Sequence, residues 1–350
     1  MRISPAADRL TDLTDFGAAF GGNPGNLRCR FYVPDDLAPG AALVVVLHGC
    51  TQDAAGYDRG SGWSALADRH GFALLFPEQQ RANNANVCFT WFAAEDTRRG
   101  GGEVASIAAM VRAMREAHAI DPARIFVTGL SAGGAMAGAM LAAYPDLFAA
   151  GAIIAGLPYG CAGNVQQALQ VMGGRMPADA ATLGGKVRAA SAHKGPWPRV
   201  SIWQGGADHT VAPSNADAIA AQWADVHALP LAPARSDAIE GATRSQWLGA
   251  DGAVRIEKIL VPGMAHGTPL KPGTGAGQSG RAGPHMIDVG ISSTDHIAAF
   301  FGIAGAAAAQ VAPAAKIAPA VRPVRPVAAP AATGVQAVIE DALRAAGLMR

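Results

Sequence analysis

The stretch Arg124–Met136, Arg-Ile-Phe-Val-Thr-Gly-Leu-Ser-Ala-Gly-Gly-Ala-Met, constrains the fold more than any other. Its apolar, largely β-branched start, Ile125-Phe126-Val127, reads as a buried strand. Gly129-Leu130-Ser131-Ala132-Gly133 then turns into a run of Ala and Met that favours a helix. This is G-x-S-x-G in the strand–turn–helix setting the motif requires. The turn is tight enough that a side chain at either glycine would meet backbone, and Ser131 sits strained with its hydroxyl turned outward. The helix behind it points N–H groups and the positive end of its dipole at the place where an oxyanion would form, so the Ala132 N–H is one expected donor. The plain alternative is a Gly-rich turn with an incidental serine.

A serine hydroxyl needs a base, and the base needs an orienting acid. Chains with this motif carry them in the order Ser, Asp or Glu, His. Val200–Gln204 reads as a strand followed by Gly-Gly-Ala-Asp, which nominates Asp208 as the acid; its plain alternative is a turn aspartate. Arg255–Val261 reads as another strand, and the Gly-flanked His266 beyond it is the expected base. His285, after a Gly/Pro loop, is the second choice, and His296 belongs inside a closing helix. Upstream, Ala42–Leu47 is a continuous apolar run, the mark of a strand covered on both faces. It ends in His48-Gly49-Cys50-Thr51, where the second oxyanion donor is expected from the N–H of Cys50 or Thr51. His48 and His209 are expected to shape their loops rather than transfer protons.

Glu78–Asn86 is polar, and Val87–Phe92 is aromatic; this loop is either a cover for the core or a wall for substrate. Trp91, Tyr159 and Trp203 are the candidate substrate contacts. Residues 162–197, between two core strands, are placed as a short cap carrying the amphipathic helix Val165–Met172. Residues 304–334 are Ala/Pro-rich and read as a linker, and 335–350 as a short amphipathic helix that docks on its own domain or on a partner. Cys50 and Cys88 follow neighbouring core strands, so both are expected at the C-terminal sheet edge, where a disulfide would tie them. The alternative is two buried thiols, with Cys29 and Cys161 free or paired.

Composition removes several function classes. A net charge of +1 leaves no electrostatic footprint for nucleic acid, and no apolar run is long enough to span a bilayer. The cysteines form no C-x-x-C pair, no Asp/Glu/His set has metal spacing, and no phosphate loop is present, so no metal or cofactor is expected. Met1–Leu10 lacks the charged-then-apolar pattern of a leader.

Taken together, Leu47–Gln52, Pro77–Gln80, Cys88–Phe92, Gly129–Gly134, Gly156–Cys161, Gly205–Asp208 and Gly283–Gly290 resemble the esterase family of poly(3-hydroxybutyrate) depolymerases, over about residues 25–302. The resemblance implies a single α/β-hydrolase domain: a mostly parallel central sheet with helices on both faces, in three layers, spanning 1–303. It implies carboxylic ester hydrolysis with Ser131, Asp208 and His266 as nucleophile, acid and base, on short hydroxyalkanoate esters or polyester oligomers. Related feruloyl and acetylxylan esterases make those activities the alternative, ahead of an acyltransferase or a non-catalytic binding protein. Many members of the family are secreted, so the resemblance implies an extracellular location, with the cytoplasm as the alternative because no leader pattern is visible at Met1–Leu10.

Overall fold

The structure is a computed structural model that describes residues 8–13, 20–176 and 178–304. Apart from Ala304, the expected linker and terminal helix lie outside the described residues. Among these, the main sheet has ten strands: β1 (Thr11–Asp12), β2 (Arg28–Tyr32), β3 (Leu43–Leu47), β4 (Ala73–Glu78), β5 (Ile125–Leu130), β6 (Ala150–Ile154), β7 (Arg199–Gly205), β8 (Arg235–Ile239), β9 (Ala242–Leu248) and β10 (Val254–Val261). Their order is β1-β2-β4-β3-β5-β6-β7-β10-β9-β8. The six central strands run parallel, and the two strands at each edge run antiparallel. The strand that leads to Ser131 therefore sits between β3 and β6, at the heart of the parallel region.

The central strands carry apolar side chains on both faces because both faces are covered. One core gathers Leu43, Val45, Val127 and Ile202 with Gly102–Ala117, Ala132–Ala143 and Ser214–Val226. The other gathers Val44, Val46, Phe126 and Trp203 with the paired helices Ala54–Ser61 and Trp63–His70 and the closing helix Ser293–Phe301. The result is the three-layered α/β-hydrolase arrangement. The helix Ala132–Ala143 is buried along its whole length, which explains its Ala, Gly and Met composition: it packs on three strands at short range.

Between β6 and β7 the chain forms two helices. Val165–Met172 starts at Asn164, whose side chain accepts the Gln167 N–H at 2.9 Å. Ala180–Ala189 starts at Asp179, which accepts the Thr182 N–H at 2.9 Å, and it packs on Ser214–Val226. A separate small parallel pair, β11 (Thr268–Leu270) and β12 (Met286–Asp288), brings the loops that carry His266 and His285 side by side.

Candidate active site

The turn after β5 has the geometry its glycines allow. A Cβ on Gly133 would lie 2.4 Å from the carbonyl oxygens of Leu47 and His48, and one on Gly129 would lie 2.4 Å from that of Gly133. Close approach of three backbone segments thus excludes any side chain at either position. Ser131 has φ 58° and ψ −118°, a conformation that L-residues rarely adopt, and its N–H is fastened to the Ile154 carbonyl of β6 at 2.8 Å.

Three strand ends converge here. Ser131 Oγ lies 2.9 Å from His266 Nε2, and His266 Nδ1 lies 2.7 Å from Asp208 Oδ2. These residues come from sequence positions up to 135 apart, so the arrangement is a product of the sheet order and not of local chain geometry. Asp208 is buried, and its carboxylate is held at four points. Oδ1 accepts the N–H groups of Thr210 (2.9 Å) and Val211 (2.8 Å), while Oδ2 accepts Gln204 Nε2 (3.0 Å) beside the imidazole. The backbone turn that follows β7 therefore fixes the acid through contacts that do not involve the histidine.

His285 does not reach Ser131. Its Nδ1 lies 3.2 Å from the His266 carbonyl oxygen and its ring packs edge-on at 5.9 Å, so it braces the loop that carries His266. His48 is buried. The Gln79 N–H donates to its Nε2 at 3.1 Å, which leaves the proton on Nδ1 to be donated to the Gly49 carbonyl at 2.7 Å. Burial lowers its pKa, so it is a neutral strut of the loop. His209 is exposed, and His296 pairs with Glu240 at the surface.

Of the two donors expected after β3, the Thr51 N–H is spent on the Asn86 carbonyl at 2.7 Å. The Cys50 N–H has no acceptor among the described residues, nor has that of Ala132 at the first position of its helix. Cys50 and Cys88 are joined by a disulfide, and Cys29 and Cys161 are free and buried. Burial pushes both thiols up, Cys161 to about 12, so neither is a ready nucleophile.

Ser131 and His266 open into a cleft of about 840 Å³, mouth included. One side is Cys88, Thr90, Trp91 and Phe92; the other is Val165, Ala168, Leu169 and Met172, with Leu157 and Val211 between. The aromatic loop is thus a wall of the cleft, and Trp91 lies where a substrate contact was expected. Tyr159 lies instead in an adjoining groove on the far side of Trp91 and Phe92. Trp203 needs correcting: it is fully buried in the opposite core, with its indole N–H on Ser201 Oγ at 3.0 Å. Strand alternation turns it away from the site. The sequence reading missed the individual cleft residues of Val165–Met172. The signal was there in the apolar stripe of that helix, since a surface stripe needs something to face. Among the described residues no cluster of His, Cys, Asp and Glu could hold a metal ion, and no helix is long and apolar enough to cross a membrane.

Known proteins share this arrangement of sequence. A poly(3-hydroxyalkanoate) depolymerase C from Paucimonas lemoignei is 45% identical over 297 residues, 85% of this chain and 70% of that protein. A probable acetylxylan esterase A from Aspergillus flavus is 31% identical over 75% of this chain and 86% of its own length. The solved acetyl xylan esterase from Aspergillus awamori superposes with a TM-score of 0.70 at 27% identity, covering 84% of this chain and 99% of that one. The profile of the family described as Esterase PHB depolymerase matches residues 29–246. The chain belongs to the esterase PHB depolymerase family.

Proposed function

We propose that the protein is a serine carboxylic ester hydrolase that cleaves hydroxyalkanoate polyesters or their oligomers through an acyl-enzyme. The observation that carries the reading is the continuous hydrogen-bonded series from Ser131 through His266 to Asp208, opening into an apolar cleft beside two unspent N–H groups. His266 Nε2 takes the proton of Ser131 as Oγ attacks the ester carbonyl. Asp208 holds the ring and stabilises the imidazolium. The N–H groups of Cys50 and Ala132 face the oxyanion, each such donor being worth about 3 kcal/mol in comparable sites. His266 then protonates the leaving alcohol, and water repeats the sequence to release the acid.

The substrate class rests on the cleft lining. Trp91, Phe92, Leu157, Leu169, Met172 and Val211 suit an alkyl-substituted acyl chain, whereas only Gln52, Asn84, Thr90 and His285 bring polar side chains outside the hydrogen-bonded series. A sugar chain would leave many hydroxyls without partners there, at a cost in affinity. The likeness to acetylxylan esterases keeps acetylated xylan, and with it feruloyl esters, as the second reading.

A hydrolysis panel of p-nitrophenyl butyrate, a hydroxybutyrate trimer, methyl ferulate and acetylated xylan tests both. The trimer is expected to give the highest kcat/KM among the natural esters; preference for acetylated xylan or methyl ferulate would transfer the substrate class. Ser131→Ala is expected to lower kcat by roughly 10⁴-fold or more, with Asp208→Asn at or somewhat below that loss. Near-normal turnover by Ser131→Ala would end the mechanism.

A further inference from the structure

Behind the aromatic wall lies an acid that the reaction scheme leaves unused. Glu103, in the first turn of Gly102–Ala117, is buried, and no Arg, Lys or His pairs with it among the described residues. Its Oε2 accepts the Thr90 N–H at 2.9 Å, and its Oε1 lies 2.5 Å from Gln79 Nε2 and 2.6 Å from Thr90 Oγ1. The same Thr90 Oγ1 also lies 2.6 Å from Asp96 Oδ2.

A threonine hydroxyl has one hydrogen and donates to one acceptor. Two carboxylates cannot both be satisfied by it, and two unprotonated oxygens 2.6 Å apart repel. The second short contact therefore needs a proton from a carboxyl group: one acid donates to Thr90 Oγ1, which donates to the other. The surroundings agree. Burial raises Glu103 to about 8, assisted by the charge of Asp96, and burial raises Asp96 as well. The groups facing the pair come from every neighbouring element. The end of β4 gives the Gln79 amide, and the wall gives Thr90. The short helix Ala94–Thr97 gives Asp96 and the more distant Glu95. The helix Ala132–Ala143 presents only Ala, Gly, Met and Leu.

We propose that Glu103 and Asp96 are positioning residues for the cleft: the pair shares one proton through Thr90, and that proton fastens the wall Thr90–Phe92 against the substrate. Loss of the proton leaves two carboxylates competing for one hydroxyl. One contact opens, Thr90 is released on one side, and the wall that it carries loses its register. Gln79 extends the same connection to Cys88 through its amide (3.2 Å to the Cys88 carbonyl) and to His48 through its N–H, so the aromatic wall and the oxyanion loop both feel the change.

The kinetic half of this proposal rests on the esterase reading; the proton itself does not, and the two are measured separately. With p-nitrophenyl butyrate, KM of the wild-type enzyme is expected to rise roughly tenfold from pH 7 to pH 9, with kcat little changed, as the shared proton is lost from Glu103, raised to about 8. Asp96→Asn supplies a permanent N–H donor to Thr90 Oγ1, so its KM is expected to stay within about twofold over the same range. Infrared difference spectra at pH 7 between wild type and Asp96→Asn are expected to show a carboxylic-acid C=O band in the wild type that disappears on alkaline titration. No such band at neutral pH, or an Asp96→Asn enzyme that keeps the alkaline rise in KM, would overturn the proposal. A protein that hydrolyses no ester yet shows the titrating band would sink the esterase reading and leave the shared proton standing.

Discussion

Breaking the Cys50–Cys88 bond tests the site and the fold together. The bond closes a loop of 38 residues between the oxyanion loop and the aromatic wall. The chain-entropy relation for that length gives about 13 cal/mol/K, or about 4 kcal/mol at 25 °C. Unfolding entropy of about 2.1 cal/mol/K per residue over roughly 290 residues is about 0.6 kcal/mol/K, so removing the bond lowers Tm by about 6 °C. The bond also fixes the residue whose free N–H faces the oxyanion, beside the Thr51 N–H to Asn86 carbonyl bond that stitches the same two loops. If that donor is partly misplaced, kcat falls by roughly tenfold, about half of what full removal of an oxyanion donor costs in free energy. The assay is calorimetry and p-nitrophenyl butyrate kinetics on Cys88→Ser, which leaves Cys50 in place, and on reduced wild type. A Tm shift of the expected size with kcat within twofold of wild type would refute the reasoning, because the bond would then staple the chain without holding the donor. Four titratable thiols in unfolded, unreduced protein from an oxidising preparation would refute the bond itself.

Two further perturbations follow from backbone crowding and from burial. Gly133→Ala drives a methyl group into the Leu47 and His48 carbonyls and is expected to cost about 3 kcal/mol or more in urea unfolding, with activity lost; wild-type stability would contradict the close approach. His227 is held to about 4 by burial, outweighing its contact with the Pro198 carbonyl at 3.1 Å. Its folded pKa lies below the unfolded value of 6.5, so stability is complete above pH 6.5 and is lost as pH falls towards 4, by about 3 kcal/mol. His227→Gln is expected to flatten that acid slope in urea melts between pH 7.5 and pH 4, and an unchanged slope would assign it to other groups.

The parts of this molecule that were legible in sequence are those whose burial is one-sided and periodic. Val165–Met172 has in the structure the bounds that its apolar spacing suggests, and His296 lies inside the closing helix Ser293–Phe301 as expected. The core strands announce themselves by continuous apolar runs, and Ser131 by glycines that backbone crowding makes obligatory. Ala54–Ser61 was overlooked because the residues it buries are Ala, Tyr, Asp, Gly and Ser, which make no apolar stripe; its start signal was present in Asp53, which accepts the Gly56 N–H. The strand Arg235–Ile239 is largely exposed at the sheet edge, so its pairing is carried by backbone bonds that leave no pattern in side chains. Trp203 misled because an aromatic near a functional strand end is equally at home on either face. Glu103 lies in the first turn of a helix, and nothing in a sequence tells a solvated glutamate there from one folded against another acid.

The two sides of the cleft differ in how they are held, and that difference bears on how such a site diversifies. The side carrying Thr90, Trp91 and Phe92 is bolted by a covalent bond and by polar contacts that reach the oxyanion loop, so resizing it disturbs the chemistry. The opposing helix shares none of those ties; near its C-terminal end it leans on Asn215 Nδ2, which donates to the Val171 carbonyl at 2.9 Å, and on the Ala212 N–H to Met172 carbonyl bond. The site behaves as a vise with one fixed and one adjustable jaw. Substitutions at Val165, Leu169 and Met172 can change the bite without touching the screw, and new acyl preferences in this scaffold should be sought there first.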